Sequence, residues 1–419
     1  MNSLLNFIES KMAPPLAKLA EQHHLKAVKD GMMVTVPFTI IGSIAVLITN
    51  FPIDAWKEFI APYAPMIASI NTVTMGMLAI LAAGAVAYFS AKYYEDVDLN
   101  PILVTFISLA SFLLATLNEE YLIDTGLFGT RGVFTAIVIA LFSAAIVRFF
   151  VKRNLVIRFP QSVPPMVSNS FMSLIPAVVM ILVVWVIRIV LGLDINTSLT
   201  DLFSPLVFGL NTIPGFLLFM FIRSLLWSVG IHGGAVLSIA DPIFLAMFGE
   251  NLLAFQAGTI PPYITAQGFT MFVFLGGGGA TLPLVLMMLR SKEKGFRALG
   301  KLTLPGSIFE INEPVVFGAP LVLNPMMIIP YVTSNLFLSA STYILMMLNV
   351  INRPVVNIPW TMPPVLSHYF VTGGDIRAAI WGILSLGIAG LIYYPFFKSM
   401  EKSRLEQEGL IEAGEEAYE

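Results

Sequence analysis

Gly306-Ser307-Ile308-Phe309-Glu310-Ile311-Asn312-Glu313-Pro314 leads into a run that carries no charge as far as Pro330. Two carboxylates and an amide thus border a segment apolar enough for a membrane. Pro314, Pro320, Pro325 and Pro330 punctuate the stretch, so it is not one regular helix. At membrane depth, ionisable groups and broken backbone are stable only where they face protein or a water-filled cavity. On a helical turn Glu310 and Glu313 would share a face. Placing a charge at mid-membrane costs roughly 2.5–3.5 kcal/mol on insertion scales, so the carboxylates point to a polar ligand site. The competing reading is an interfacial turn that caps a helix. Glu313 favours the ligand reading, whereas Glu310 reads equally as ligand or as structural residue.

The composition agrees with a membrane protein. Of 419 residues, 57% are hydrophobic and only 12% are charged, against about 25% charged in a typical soluble domain. The net charge of −3 comes with no basic tract interleaved with aromatics, so no nucleic-acid partner is expected. There is no cysteine, which excludes a disulfide, a thiolate nucleophile and an iron–sulfur site on this chain. His23, His24, His232 and His368 lack metal-ligand spacing, so neither a metal nor another cofactor is expected. The polar, amphipathic N-terminus and the apolar span from Val28 read as a retained anchor rather than a cleaved signal.

Apolar runs of about 20 residues predict spans at 28–50, 66–90, 101–117, 132–150, 171–192, 213–229, 264–289, 326–349 and 377–397. Segments 230–262 and 302–325 are apolar but interrupted, and read as re-entrant or broken elements that together supply a tenth crossing. Basic clusters at Lys26/Lys29, 148–158, 290–301 and Lys398–Arg404 predict the cytoplasmic side, while loops 118–130 and 192–212 are acidic and external. For both 213–229 and 264–289 to run inward, 230–262 must cross back outward, which puts His232 in the membrane. No internal repeat is visible. Residues 1–150 are expected to form a scaffold, 151–170 an amphipathic connector, and 171–419 the working part with a cytoplasmic tail.

Four further motifs carry competing readings. His232 is followed by Gly233-Gly234, whose missing side chains allow close approach of backbone or ligand. Its imidazole can donate, accept or take a proton, though a core histidine bonded to a carbonyl is the simpler alternative. Arg223, inside an apolar run, is expected to partner an internal acid such as Asp241 or Glu250 rather than to contact substrate. Gly276-Gly277-Gly278-Gly279 has no following GKS or GKT and is not a phosphate loop; close helix packing or a hinge is expected. In Asn357-Ile358-Pro359-Trp360-Thr361-Met362-Pro363-Pro364, Trp360 suits stacking on a sugar ring or a place in the interfacial aromatic belt equally.

The order His-Gly-Gly, then Phe-Glu-Ile-Asn-Glu-Pro-Val-Val-Phe-Gly, then Asn-Ile-Pro-Trp-Thr-Met-Pro-Pro, resembles the membrane IIC subunit of the bacterial sugar phosphotransferase system. It is most similar to the lactose/cellobiose/diacetylchitobiose family. The stretch from Leu19 to Met32 also fits, so the resemblance covers nearly the whole chain. It implies a homodimer in the bacterial cell membrane, about ten transmembrane helices plus re-entrant hairpins, and a β-linked disaccharide bound in the C-terminal half. By resemblance Glu313 and His232 lie near the sugar 6-hydroxyl as candidate catalytic groups. Trp360 by the same resemblance stacks or packs at the sugar ring, and Asn312, Glu310 and Gly233 are further candidate substrate-binding residues. The donor is a phosphocysteine on a IIB subunit. Because this chain lacks cysteine, IIB is expected as a separate chain, with a separate cytoplasmic IIA. A cation-coupled secondary sugar transporter, with Glu310, Glu313 and His232 as proton relay, is the alternative.

Overall fold

The computed structural model describes residues 22–51, 53–157, 159–160, 171–228, 230, 233, 237–319, 321–322 and 324–416. His232, and residues 158 and 161–170 of the expected connector, lie outside these. The regular structure of the described residues is helical, and their one β pairing is an isolated bridge, Leu117 to Ile123. They include five helical segments long and apolar enough to cross a membrane: His23–Thr49, Ala64–Lys92, Thr130–Lys152, Met326–Met347 and Ile376–Glu406. A sixth is a bent pair, Leu174–Val190 with Ile195–Leu210, angled at 89°. The chain divides into two compact units, one of residues 18–208 with 237–262, the other built mainly from 209–236 and 263–419.

The first unit contains α1 (His23–Thr49), α2 (Asp54–Ile60), α3 (Ala64–Val73), α4 (Leu78–Lys92), α5 (Pro101–Ala115), α6 (Val133–Lys152), α7 (Leu174–Trp185), most of α8 (Ile195–Leu210) and, inserted later in the chain, α10 (Asp241–Gln256). Its centre is α4, which packs on α1, α5 and α6. The reason is composition: Ala79, Ala82, Ala83, Ala87, Ser90 and Ala91 are all buried, and small side chains let helix backbones approach where no hydrophobic effect drives association. Ser108 of α5 uses that proximity to donate to the Ala83 carbonyl at 2.9 Å. Helix starts follow the sequence: the Asn100 side chain accepts from the Ile102 and Leu103 N–H groups, and Pro101 takes the first helical position. After α7 the chain makes a π-helical turn, Val186–Val190. The expected external loop 192–212 is mostly the helix α8, because its apolar residues recur at helical spacing between the acidic positions.

The second unit contains α9 (Ile213–Ser228), α11 (Leu282–Leu289), α12 (Lys294–Ile308), α13 (Glu313–Gly318), α14 (Pro325–Met347), α15 (Leu366–Val371) and α16 (Ile376–Glu416). Here α9 packs on α14, α11 on α12, and α14 and α15 on α16. The expected span 264–289 is not a continuous helix. Residues 257–281 are irregular apart from one 3₁₀ turn, Phe269–Phe272, and only α11 is helical. Four consecutive glycines explain the correction, since each costs a helix about 1 kcal/mol relative to alanine. The basic segment 290–301 is mostly the start of α12 rather than a loop. Glu293 begins it by accepting from the Gly295 and Phe296 N–H groups at 2.7 and 2.5 Å. The expected tail beyond residue 397 continues as helix α16 to Glu416.

Candidate functional site

The proline-broken stretch separates two helices, as the sequence predicts. α12 ends at Ile308 and α13 begins at Glu313, with Pro314 in its first turn, where a proline starts a helix rather than breaking one. Pro330 lies inside α14 and is tolerated there. Glu310 has φ +66°, a left-handed conformation costly for a side chain with a Cβ. It is therefore off the helical path, and Glu310 and Glu313 do not share a helix face.

What holds Glu310 in place is the glycine run. The Gly276 and Gly277 N–H groups donate to Glu310 Oε2 at 2.9 and 2.6 Å. Asn312 Nδ2 donates to the Gly278 carbonyl at 2.7 Å and to Thr281 Oγ1 at 3.1 Å. The Gly279 N–H donates to Asn335 Oδ1, and the Tyr393 hydroxyl donates to the Gly279 carbonyl at 2.8 Å. Asn335 in turn donates to Ser224 Oγ at 2.7 Å. The run is thus a tight turn clamped from both sides, closed by a bond from the Leu282 N–H to the Leu275 carbonyl. It is neither a helix-packing face nor a mid-helix hinge. Glycine is required at Gly277 and Gly279: φ is +91° and +87°, and a Cβ would stand 2.3 Å from Asn312 Cγ and 2.2 Å from the Tyr331 ring.

Glu310 and Asn312 are buried in this clamp, and Glu310 Oε1 has no hydrogen-bond partner. Glu313 is different. It is exposed on the first turn of α13, whose Val315 and Val316 are fixed in a core with Trp227, Leu284, Met288, Tyr331 and Tyr393. A rigid turn and a packed helix therefore present one free carboxylate from a position set by two immobilised polar residues. Tyr331, with its hydroxyl buried and unpaired, lies within electrostatic range of both Glu313 and Arg223.

The other candidates stand in separate surroundings. Gly233 is buried against α9, where a Cβ would lie 2.4 Å from the Arg223 carbonyl oxygen, so its role here is close backbone packing. Trp360 is 60% exposed, in the segment between α14 and α15. The Arg223 guanidinium lies over the Phe274 ring, 4.6 Å from its centroid. Glu250, one of the two acids expected to partner it, instead pairs with Arg131 at 3.1 Å. His368 is fully buried beside Ser367 and Phe272, as a core histidine. Sequence reading missed Asn335, Thr281, Tyr331 and Tyr393. The one signal for Asn335 was an amide inside an otherwise apolar span, which by itself names no partner.

An all-helical membrane protein with a unit built from interrupted helices and clamped polar side chains has the architecture of a membrane transporter. The chain belongs to the EIIC family of the phosphotransferase system, whose model matches residues 29–334. It is similar to the lichenan permease IIC component of Bacillus subtilis (strain 168), 35% identical over 98% of this chain and 97% of that protein. It is also similar to the cellobiose-specific EIIC component of Geobacillus stearothermophilus, 34% identical over 97% and 96%. Among solved structures, it matches the transporter ChbC, the IIC component from the N,N'-diacetylchitobiose-specific phosphotransferase system. The TM-score is 0.91 at 33% identity, covering 96% of this chain and 99% of that one. The resemblance drawn from the motifs is thereby borne out at the level of the family.

Proposed function

We propose that this IIC permease binds a β-linked disaccharide of the cellobiose or diacetylchitobiose type and presents its 6-hydroxyl for phosphorylation. The observation that carries this reading is similarity along the whole chain to permeases named for such sugars. The geometry supports it: an exposed carboxylate beside a rigid turn suits a hydroxyl that must be held in one orientation. Glu313 accepts from the sugar 6-hydroxyl and, with His232, orients or deprotonates it for attack on phosphorus. Trp360 packs on a ring face. Asn312 contributes by holding the turn, as does Glu310, whose buried carboxylate makes it a structural member of the site.

The phosphoryl donor is a phosphocysteine outside these 419 residues, which contain no cysteine. In this reading it sits on IIB, which is recharged by IIA. The protein works as a homodimer in the bacterial cytoplasmic membrane, with about ten crossings once re-entrant segments are included. Residues 1–150 serve as dimerising scaffold, 151–170 as connector, and 171–419 as the part that carries sugar. Phosphorylation makes the product an anion and so traps it inside. Family membership sets aside the cation-coupled alternative.

The test is uptake of labelled cellobiose or diacetylchitobiose by vesicles holding the protein with its IIA and IIB partners and phosphoenolpyruvate-driven donors. The internal product is expected to be sugar 6-phosphate. Accumulation of free sugar, independent of IIB, overturns the reading.

A further inference from the structure

Outside the sugar-site residues, the first unit holds a second concentration of polar chemistry. A cavity of about 520 Å³ is lined by His23, His24, Lys26, Lys92, Tyr93, Tyr94, Glu95, Asp96 and Arg148. His23 stacks on Tyr94 with ring centroids 4.0 Å apart, and the Arg148 guanidinium lies 4.5 Å from the centroid of the same Tyr94 ring. Lys26 lies over the Tyr93 ring at 4.6 Å. Asp96 is fully engaged: Arg148 grips it with bonds of 2.9 and 2.6 Å, and Lys152 adds one of 2.7 Å. These partners hold its carboxyl well below the usual carboxylate range. With Asp96 neutralised, Glu95 alone opposes Lys26 and Lys92 on the wall.

Two observations point to a missing ligand. His23 Nδ1 faces the Tyr93 carbonyl at 3.1 Å, while His23 Nε2 and His24 Nδ1 are buried without a hydrogen-bond partner. A buried ring nitrogen without a partner is destabilising unless something satisfies it. A second cavity of about 710 Å³ shares Asp96 with it; its wall is mixed, with Leu103, Val104, Val147 and Val151 on one part and Asp98, Asn100, Lys152 and Ser173 on another. The cationic and aromatic chamber lies where three spans end: α1 begins at His23, α4 ends at Lys92, and α6 ends at Lys152. That is the level of a lipid headgroup, and the second cavity lies beside it with an apolar strip along part of its wall.

We propose that the paired cavities are one binding site for an anionic phospholipid, its phosphate among His23, His24, Lys26 and Lys92 and its acyl chain along Leu103, Val104, Val147 and Val151. Basic clusters at the ends of spans attract anionic headgroups, at about 1 kcal/mol per Lys near the surface. The apolar strip of Leu103, Val104, Val147 and Val151 is what distinguishes a lipid from a free phosphate compound. The bound lipid would brace the ends of α1, α4 and α6 against one another.

The experiment is native mass spectrometry of the purified full-length protein. It is titrated with phosphatidylglycerol, with phosphatidylcholine of the same chain length, and with inorganic phosphate. Wild-type protein is expected to prefer phosphatidylglycerol by about tenfold or more, and inorganic phosphate to bind far more weakly than the lipid. The Lys26→Gln/Lys92→Gln double variant should lose the preference while keeping its gel-filtration profile and thermal midpoint. A His23→Gln/His24→Gln variant should weaken phosphatidylglycerol without changing phosphatidylcholine. Equal binding of the two lipids by wild type, or a preference that survives both variants, overturns the proposal. Inorganic phosphate binding as tightly as phosphatidylglycerol overturns the lipid assignment in favour of a soluble phosphate compound.

Discussion

The two units are built by opposite means. In the first, continuous helices pack through small residues, as α4 does with its run of buried alanines. In the second, the chain breaks at 263–281 and at 309–312, and side-chain hydrogen bonds reconnect the breaks. A continuous helix satisfies its own backbone, so packing alone completes it. A broken one leaves N–H and C=O groups that other side chains must meet. Glu310, Asn312, Asn335 and Tyr393 do so around one glycine turn. The lesson is that polarity in the second unit has two kinds of duty. Most of it holds the backbone, while Glu313 stays exposed and is the group proposed to meet a substrate.

That division of labour can be broken by substitution, beginning with the largest effect. Glu313→Gln keeps shape and removes base character. Sugar phosphorylation in the reconstituted system should fall by roughly 10²–10⁴-fold with the thermal midpoint unchanged, as expected for loss of a general base. Wild-type turnover in that variant would falsify the general-base role. Glu310→Ala should show the reverse pattern. Two buried N–H groups would lose their acceptor, at about 1–3 kcal/mol each, so the thermal midpoint in detergent should drop together with sugar affinity. If Glu310→Ala instead removes turnover at full stability, Glu310 belongs with Glu313.

A glycine pair sharpens the contrast between units. Gly279→Ala forces a Cβ into the Tyr331 ring at positive φ, and should destabilise by about 1–3 kcal/mol. Gly84→Ala in α4 meets Thr105 only at an ordinary 3.5 Å and gains helix propensity, so it should be neutral or stabilising by up to about 1 kcal/mol. Parallel melting curves of the two variants provide the check. The smallest change is expected for Arg131→Gln, which removes a largely exposed pair with Glu250; such pairs contribute about 0–1 kcal/mol, so thermal stability should barely move.

Much was legible in the chain before its structure. Apolar windows located the ends of α1, α6 and α14 closely, because length and hydropathy are local properties. They misjudged 264–289, since a window counts apolar residues and is blind to a glycine run that favours positive φ. They also missed α8, where acidic residues interrupt the apolar count without interrupting the helix. Around the site, the break between α12 and α13 beside Asn312 and Glu313 is legible in the sequence, but the structural duty of Glu310 is not. Its partners lie 33 and 34 residues away, and nothing local announces them.

By itself, then, the sequence determined the solvent, the family and the place of the break. A lipid-compatible composition leaves few alternatives to helices, and prolines beside carboxylates mark where a helix must yield. The tertiary structure decided which of those polar groups is spent on the protein. It also decided that residues 237–262 fold with the first unit although the chain on both sides belongs to the second. Both are matters of contacts between distant segments, where backbone groups freed at one break are met by side chains from another.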